Sequence, residues 1–179
     1  MTHEGDIFGP ATPVPPGMPY ERAAPRTLTI ARAGLRDLQA VARLQRRAFR
    51  PPLAYGLTTL IVLWILPRVH FLIAREGGRI VGCAIGDRQG GQGRVINLCV
   101  DPDARRQGIG TTLLHSLEAL LPPGNVVLMV EERNEVAQAL YRREGYQAVG
   151  TGRDYYGRGQ HGIWMQKKRG DGGAGKVWV

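Results

Sequence analysis

The 179-residue chain reads as an α/β protein of six to seven strands and four helices, and three observations carry that reading. An apolar run of strand length, Val95 to Val100, ends at a polar turn, after which Gly108-Ile109-Gly110 opens a helix. In that helix Ile109, Leu113, Leu114, Leu117, Leu120 and Leu121 recur at helical spacing until Pro122-Pro123-Gly124 stops it. The other apolar segments complete the order: strand, two helices, three strands, helix, strand, helix, two strands.

In chain order, residues 1–26 contain Pro10, Pro13, Pro15, Pro16, Pro19 and Pro25 and little apolar periodicity, as expected of a disordered, partly polyproline arm. One domain is expected over residues 27–168, with a flexible glycine-rich tail over 169–179. Leu28-Thr29-Ile30 begins the domain as a strand. Asp37 to Phe49 follows as a helix, with Leu38, Val41, Ala42, Leu44, Gln45 and Ala48 on its stripe and Pro51-Pro52 at its end. Leu57 to Leu66 is apolar all round and too short to span a bilayer. Two roles stay open for it: a buried second helix, or an exposed patch that docks a partner, a membrane surface or a second subunit in a homodimer through residues 57–66.

Val69 to Arg75 and Arg79 to Asp87 read as strands joined at Glu76-Gly77-Gly78. Gln89 to Gly93 is glycine-rich but no helix follows it, so it reads as a second hairpin loop. Val126 to Val130 is the next strand. A short helix runs from Asn134, a plausible N-cap, to Gly145, a plausible C′ residue. Strands near Gln147–Gly150 and Gly162–Gln166 close the domain.

Composition narrows the class. Two cysteines, Cys83 and Cys99, lie in apolar strand segments, which fits reduced thiols in a cytoplasmic protein. The chain shows no apolar signal segment, so a cytoplasmic location is expected. Its net charge of +9 is spread over many arginines without one dense cluster. No interleaving of aromatic and basic residues marks a nucleic-acid groove, so no direct nucleic-acid binding is expected. Among the histidines, His3 lies in the arm, His70 starts a strand and His115 sits within the main helix, while His161 lies near a tyrosine pair; none has metal-ligand spacing, so no metal is expected.

The chemistry concentrates at the Gly108 turn. A helix start leaves backbone N–H groups unpaired and carries partial positive charge, and glycines allow close backbone approach, so the turn suits a phosphate or pyrophosphate. It lacks the Gly-Lys-Ser/Thr of a P-loop, and Leu113 stands where a dinucleotide fingerprint needs a third glycine. What remains, Arg105-x-x-Gly108-x-Gly110 after a strand, resembles the acetyl-CoA-binding motif of the GNAT N-acetyltransferase superfamily. A second segment matches in family order: Asn134-x-x-Ala137-x-x-x-Tyr141, followed by Gly145-Tyr146. Asn134 and Tyr141 are nearly two helical turns apart and share a face.

The resemblance implies a GNAT fold: a mixed central sheet whose central strand pair splays apart to admit the pantetheine arm of acetyl-CoA, the co-substrate. It implies that the backbones of Leu98, Cys99 and Val100 and the loop Arg105, Arg106, Gln107, Gly108, Ile109, Gly110 and Thr111 bind the cofactor. Asn134 would bond pantetheine, in competition with its role as a cap. Tyr141 would be the acid that protonates the departing thiolate, since a phenol of pKa about 10 stays protonated at neutral pH.

The stretch Gly152 to Met165, with Arg153-Asp154-Tyr155-Tyr156, is most similar to bacterial ribosomal-protein alanine acetyltransferases, which act on protein N-termini. The likeness implies that Tyr155 and Tyr156 grip a peptide acceptor, possible ribosomal proteins included. One position departs from the pattern: Met129 stands where those enzymes carry a glutamate base. Glu131, two residues on, faces the same way in a regular strand and is the candidate shifted base, whereas Glu132 faces away. A base is also dispensable for an α-amine of pKa near about 8, part of which is neutral at working pH, unlike a lysine near about 10.4. The expected function is transfer of acetyl from acetyl-CoA to the α-amine of a protein N-terminus. The alternatives are a small-molecule amine acetyltransferase and a CoA-binding regulatory module without catalysis.

Overall fold

A computed structural model describes residues 27–51 and 53–169. The expected proline-rich arm, with His3, and residues 170–179 of the expected tail lie outside the described residues. Seven strands form one sheet: β1 (Leu28–Arg32), β2 (His70–Glu76), β3 (Arg79–Gln89), β4 (Gln92–Val100), β5 (Val126–Glu131), β6 (Gln147–Gly152) and β7 (Gly162–Lys167). Their order across the sheet is β1-β2-β3-β4-β5-β7-β6. Every pairing is antiparallel except β4 with β5. Four helices cover it: α1 (Leu38–Ala48), α2 (Leu57–Ile65), α3 (Ile109–Glu118) and α4 (Glu135–Arg143). The element order is the expected one.

Each face of the sheet buries its own core. On one face Leu113, Leu114 and Leu117 of α3 pack over Leu72, Ala84 and Leu128. On the other, Leu38, Val41 and Leu44 of α1 pack with Leu60 of α2 against Phe71, Ile73 and Ile85. The first helix begins at Leu38, where its apolar stripe starts and one residue after the expected Asp37, because Leu35–Asp37 forms a 3-10 turn. That turn is held by the Asp37 carboxylate, which accepts from Gly34 N–H at 2.9 Å and pairs with Arg75 at 2.5 Å.

The apolar α2 is buried on one side and exposed on the other. Leu60 is fully buried and Trp64 donates to the Ala33 carbonyl at 2.8 Å. Leu57, Ile61, Val62 and Ile65 on its outer side remain exposed. No helix among the described residues is long and apolar enough to cross a membrane. Arg169, the first residue of the expected tail, is anchored: its guanidinium donates to the carbonyls of Glu118 (2.7 Å), Gly124 (2.9 Å) and Pro122.

One irregularity positions the site. Ile85 pairs with Asn97 and Gly86 with Val95, so Ile96 is an extra residue on β4. Such a bulge bends its strand and increases its twist. The parallel pairing of β4 with β5 runs through Gly93, Arg94 and Val95 and stops there. Beyond the bulge the two strands diverge, and the expected gap opens between them. The bulge also reverses the facing of side chains: Val95 packs under α3, while Asn97 and Cys99 point to the α1 side.

Candidate active site

A cleft of about 380 Å³ occupies the gap. Val95 to Leu98 form one wall, Leu128 to Glu131 the other, and Asn134, Ala137 and Tyr141 of α4 close the end. Phe49, Leu53 and Tyr55 border it from the α1–α2 connection, and Tyr155 and Tyr156 from the β6–β7 loop. An adjoining pocket of about 360 Å³ continues past Glu131 to Arg50 and Arg133.

The loop from Arg105 to Thr111 has the conformation an anion site needs. Arg106 and Gly108 both have positive φ, 62° and 78°. At Gly108, the N-cap of α3, only glycine adopts that angle without strain, and a Cβ there would meet open space. No side chain caps α3, and its first ladder bond runs from Thr112 N–H to the Gly108 carbonyl at 3.0 Å. The N–H groups of Ile109, Gly110 and Thr111 therefore precede the ladder and are left for an anion. At Gly110 a Cβ would make ordinary contacts, 3.5 Å from Leu140 of α4 and 3.7 Å from Val100.

Of the three β4 residues expected to present backbone to the cofactor, two turn their backbone groups into the gap. Asp101 N–H donates to the Val81 carbonyl at 2.8 Å, and Cys99 is registered directly on Cys83. Alternation along the strand then turns the amide and carbonyl of Leu98 and Val100 into the gap and those of Cys99 toward β3. The backbone of Cys99 is thus engaged with β3. Its side chain lies in a buried cluster on the α1 face with Gln45, Asn97 and Cys83, whose sulfur is 3.4 Å away. The Cys83 hydrogen bond and burial hold the Cys99 thiol well above its ordinary pKa. Arg105 also turns inward, donating to the carbonyls of Val100 (3.4 Å) and Ala48 (3.3 Å), so its side chain braces the loop. Arg106 and Gln107 are exposed in the turn, and Thr111 Oγ1 bonds Glu144 at 3.2 Å.

Asn134 caps α4 with its amide oxygen, which accepts from Ala137 N–H at 3.1 Å. The cap engages the oxygen alone, so the Nδ2 donor is left to serve the cleft and the two roles need not compete. Tyr141 is buried, its ring edge-on to Tyr146 with centroids 5.7 Å apart. Burial, with the nearby Cys99 sulfur, pushes its phenol above the usual value. Its hydroxyl has no hydrogen-bond partner among the described residues and opens on the cleft.

Strand β5 keeps regular register with β7 from Val126 to Glu131, so Met129 and Glu131 share a face, as a regular strand requires. Both line the cleft. Glu131 is ion-paired with Arg50, which also donates to Gln160 Oε1 at 3.1 Å. Tyr156 donates to the Met129 carbonyl at 3.0 Å, and burial raises its phenol. Tyr155 meets Tyr156 and Trp164 edge-on at 4.9 and 6.1 Å. His161 supports this loop instead of lining the groove: its Nδ1 accepts from Asp154 N–H at 3.1 Å.

Sequence reasoning missed Phe49, Arg50, Leu53, Tyr55 and Gln138. The first four lie around the prolines that end α1, where no periodicity marks a role. Gln138, buried in α4, donates to the carbonyls of Glu132 (2.7 Å) and Glu131 (3.3 Å) and ties the helix to the end of β5. Its signal was a polar residue on an apolar helix face.

Comparison with known proteins agrees with this geometry. The family described as acetyltransferase (GNAT) domain matches residues 67–148. An uncharacterized N-acetyltransferase of Methanocaldococcus jannaschii is 33% identical over 146 residues, 79% of this chain and 92% of that one. The N-alpha-acetyltransferase RimI of Mycobacterium tuberculosis is 35% identical over 138 residues, 72% of this chain and 84% of that one. The crystal structure of the ribosomal-protein-S18-alanine N-acetyltransferase of Escherichia coli superposes with a TM-score of 0.70 at 25% identity, covering 85% of this chain and all of that one.

Proposed function

The chain belongs to the GNAT family of N-acetyltransferases, which use acetyl-CoA, and on that premise we propose that it acetylates the α-amine of a protein N-terminus. The observation that supports a peptide acceptor is the aromatic border of the cleft. Phe49 and Tyr55 stand on one side, Tyr155 and Tyr156 on the other, and Tyr141 lies at the inner end. A groove walled by aromatic side chains, the tyrosines carrying polar tips, suits an extended backbone.

Bound acetyl-CoA would supply an acyl thioester. The N–H groups of Ile109, Gly110 and Thr111 would hold its pyrophosphate, and the gap-facing backbone of Leu98 with the N–H of Val100 would pair with pantetheine, joined by Asn134 Nδ2. A strand N–H aimed at the thioester oxygen stabilises charge as it develops there. Tyr141, kept protonated by burial, would give its proton to the departing thiolate. The attacking amine must be neutral. Glu131 is engaged with Arg50, so its role is to attract the amine, and the peptide α-amine supplies its own neutral fraction. The outer face of α2 is the surface through which a homodimer would form.

Acetyl-CoA turnover against peptides with free and blocked N-termini, lysine peptides and small amines tests this reading. By likeness to the E. coli enzyme, a ribosomal-protein N-terminus belongs in the panel. Free N-termini should be preferred. A preference for small amines would favour the small-molecule alternative, and no turnover on any amine the regulatory module.

A further inference from the structure

We propose that Arg50 selects the acceptor, favouring N-termini that carry a carboxylate side chain one or two residues after the acetylated amine. The inference rests on the cleft being a peptide groove, as argued above.

Arg50 lies just beyond α1 and bridges the two segments that flank the groove. Its guanidinium pairs with Glu131 at the end of β5 and donates to Gln160 on the β6–β7 loop at 3.1 Å. A peptide passing between the α1–α2 connection and that loop has to meet this bridge. Arg50 is 48% exposed, while the Glu131 carboxylate is 13% exposed, so the cation is the partner that can swing aside.

Among the described residues, the charges lining both parts of the cleft are Arg50, Arg133 and Glu131. An acceptor brings a positive α-amine, which is attracted to Glu131, the one carboxylate in that set. As the amine takes Glu131, Arg50 keeps only the neutral Gln160 oxygen, and two cations then face the following residues of the peptide. An aspartate or glutamate there restores the lost ion pair with a guanidinium. A lysine or arginine there adds a third like charge, which is unfavourable at short range. The chain's net charge of +9 acts in the same direction at longer range by steering acidic N-termini toward it.

The test uses the full chain, acetyl-CoA and three peptides identical except for a second residue of glutamate, glutamine or lysine. The expected kcat/KM order is glutamate, glutamine, lysine, with roughly a fivefold or greater step from glutamate to glutamine, carried by KM and reduced by salt. Arg50→Gln should bring that step close to one, Arg50→Lys should retain part of it, and Arg50→Glu should reverse the order. A merely structural role for Arg50 would lower all three peptides by one factor and leave the step in place, which overturns the proposal. Equal kcat/KM for the three peptides with the native protein also overturns it while leaving the peptide reading intact. Turnover of small amines with none of any peptide removes the peptide reading and the proposal together.

Discussion

Met129 fills the space that a side chain on Gly162 would need. A Cβ on Gly162 would lie 2.4 Å from Met129 Sδ and 2.9 Å from its Cγ, and one on Gly152 would lie 3.0 Å from its Cε. The bare backbones of β6 and β7 therefore admit the thioether at the position where related peptide enzymes are expected to carry a base. Gly162→Ala should destabilise the fold by about 1–3 kcal/mol through overpacking. Adding Met129→Ala should recover most of that loss in urea unfolding. Simple additivity of the two losses would show that they do not compete for the same space.

Tyr141→Phe removes one hydroxyl from the inner end of the cleft. Turnover should fall by roughly 10-fold to 1000-fold while acetyl-CoA affinity, measured by calorimetry, stays nearly intact. Because burial raises the phenol, the native rate should show no alkaline fall from Tyr141 below about pH 10, the ordinary tyrosine value. A variant as fast as the native enzyme would reduce Tyr141 to a packing residue.

The two loop glycines should answer differently to alanine. Gly108 has φ of 78°, so Gly108→Ala should cost about 1–2 kcal/mol of stability and weaken acetyl-CoA binding by distorting the turn. At Gly110 a Cβ would make ordinary contacts with Leu140 and Val100, so Gly110→Ala should be the milder change. Equal affinities for acetyl-CoA in native protein and folded Gly108→Ala would remove the loop from the cofactor site.

Glu131 tests whether a general base operates. With its carboxylate held by Arg50, Glu131→Gln should lower kcat/KM by less than about tenfold, short of the 10²–10⁴ typical of a base. The pH–rate profile should follow the acceptor amine, with an apparent pKa near about 8. A larger loss, greatest at low pH where the amine is mostly protonated, would assign Glu131 as the base.

Asp101, buried at the end of β4, should make the fold sensitive to acid. Burial alone would raise its pKa, but the hydrogen bond from Arg79 at 2.5 Å, the Asp103 N–H at 3.1 Å and the Arg47 charge together hold it below the ordinary range. A folded value below the unfolded one means that its stabilisation is complete above about pH 4 and is lost as pH falls through the folded value. Asp101→Asn retains an oxygen for the cap and loses the charge. The stability gap between native and variant, from urea unfolding, should therefore narrow between neutral and acid pH. A gap independent of pH would show that the charge contributes nothing.

Much of this architecture is legible along the chain because it is written in local terms. Helical spacing from 109, paired glycines in the hairpins and the two-turn separation of Asn134 and Tyr141 each depend on residues close in sequence, and each holds in the structure, except that the helix ends at Glu118, before Leu120 and Leu121. The shared face of Met129 and Glu131 likewise follows from strand alternation alone.

Other features required the folded molecule. The bulge at Ile96 has no mark in a uniformly apolar run, yet it ends the β4–β5 pairing and turns Cys99 away from the gap. The insertion of β7 between β5 and β6 brings Gly162 beside Glu131. The same placement lets Arg50 reach partners 81 and 110 residues along the chain. By itself the sequence determined the elements, the glycine turn that opens α3 and the helix that carries Tyr141, because short-range periodicity and turn chemistry specify them. Only the tertiary structure decided which walls face the cleft and which charges meet there, because those contacts are set by the order of strands across the sheet.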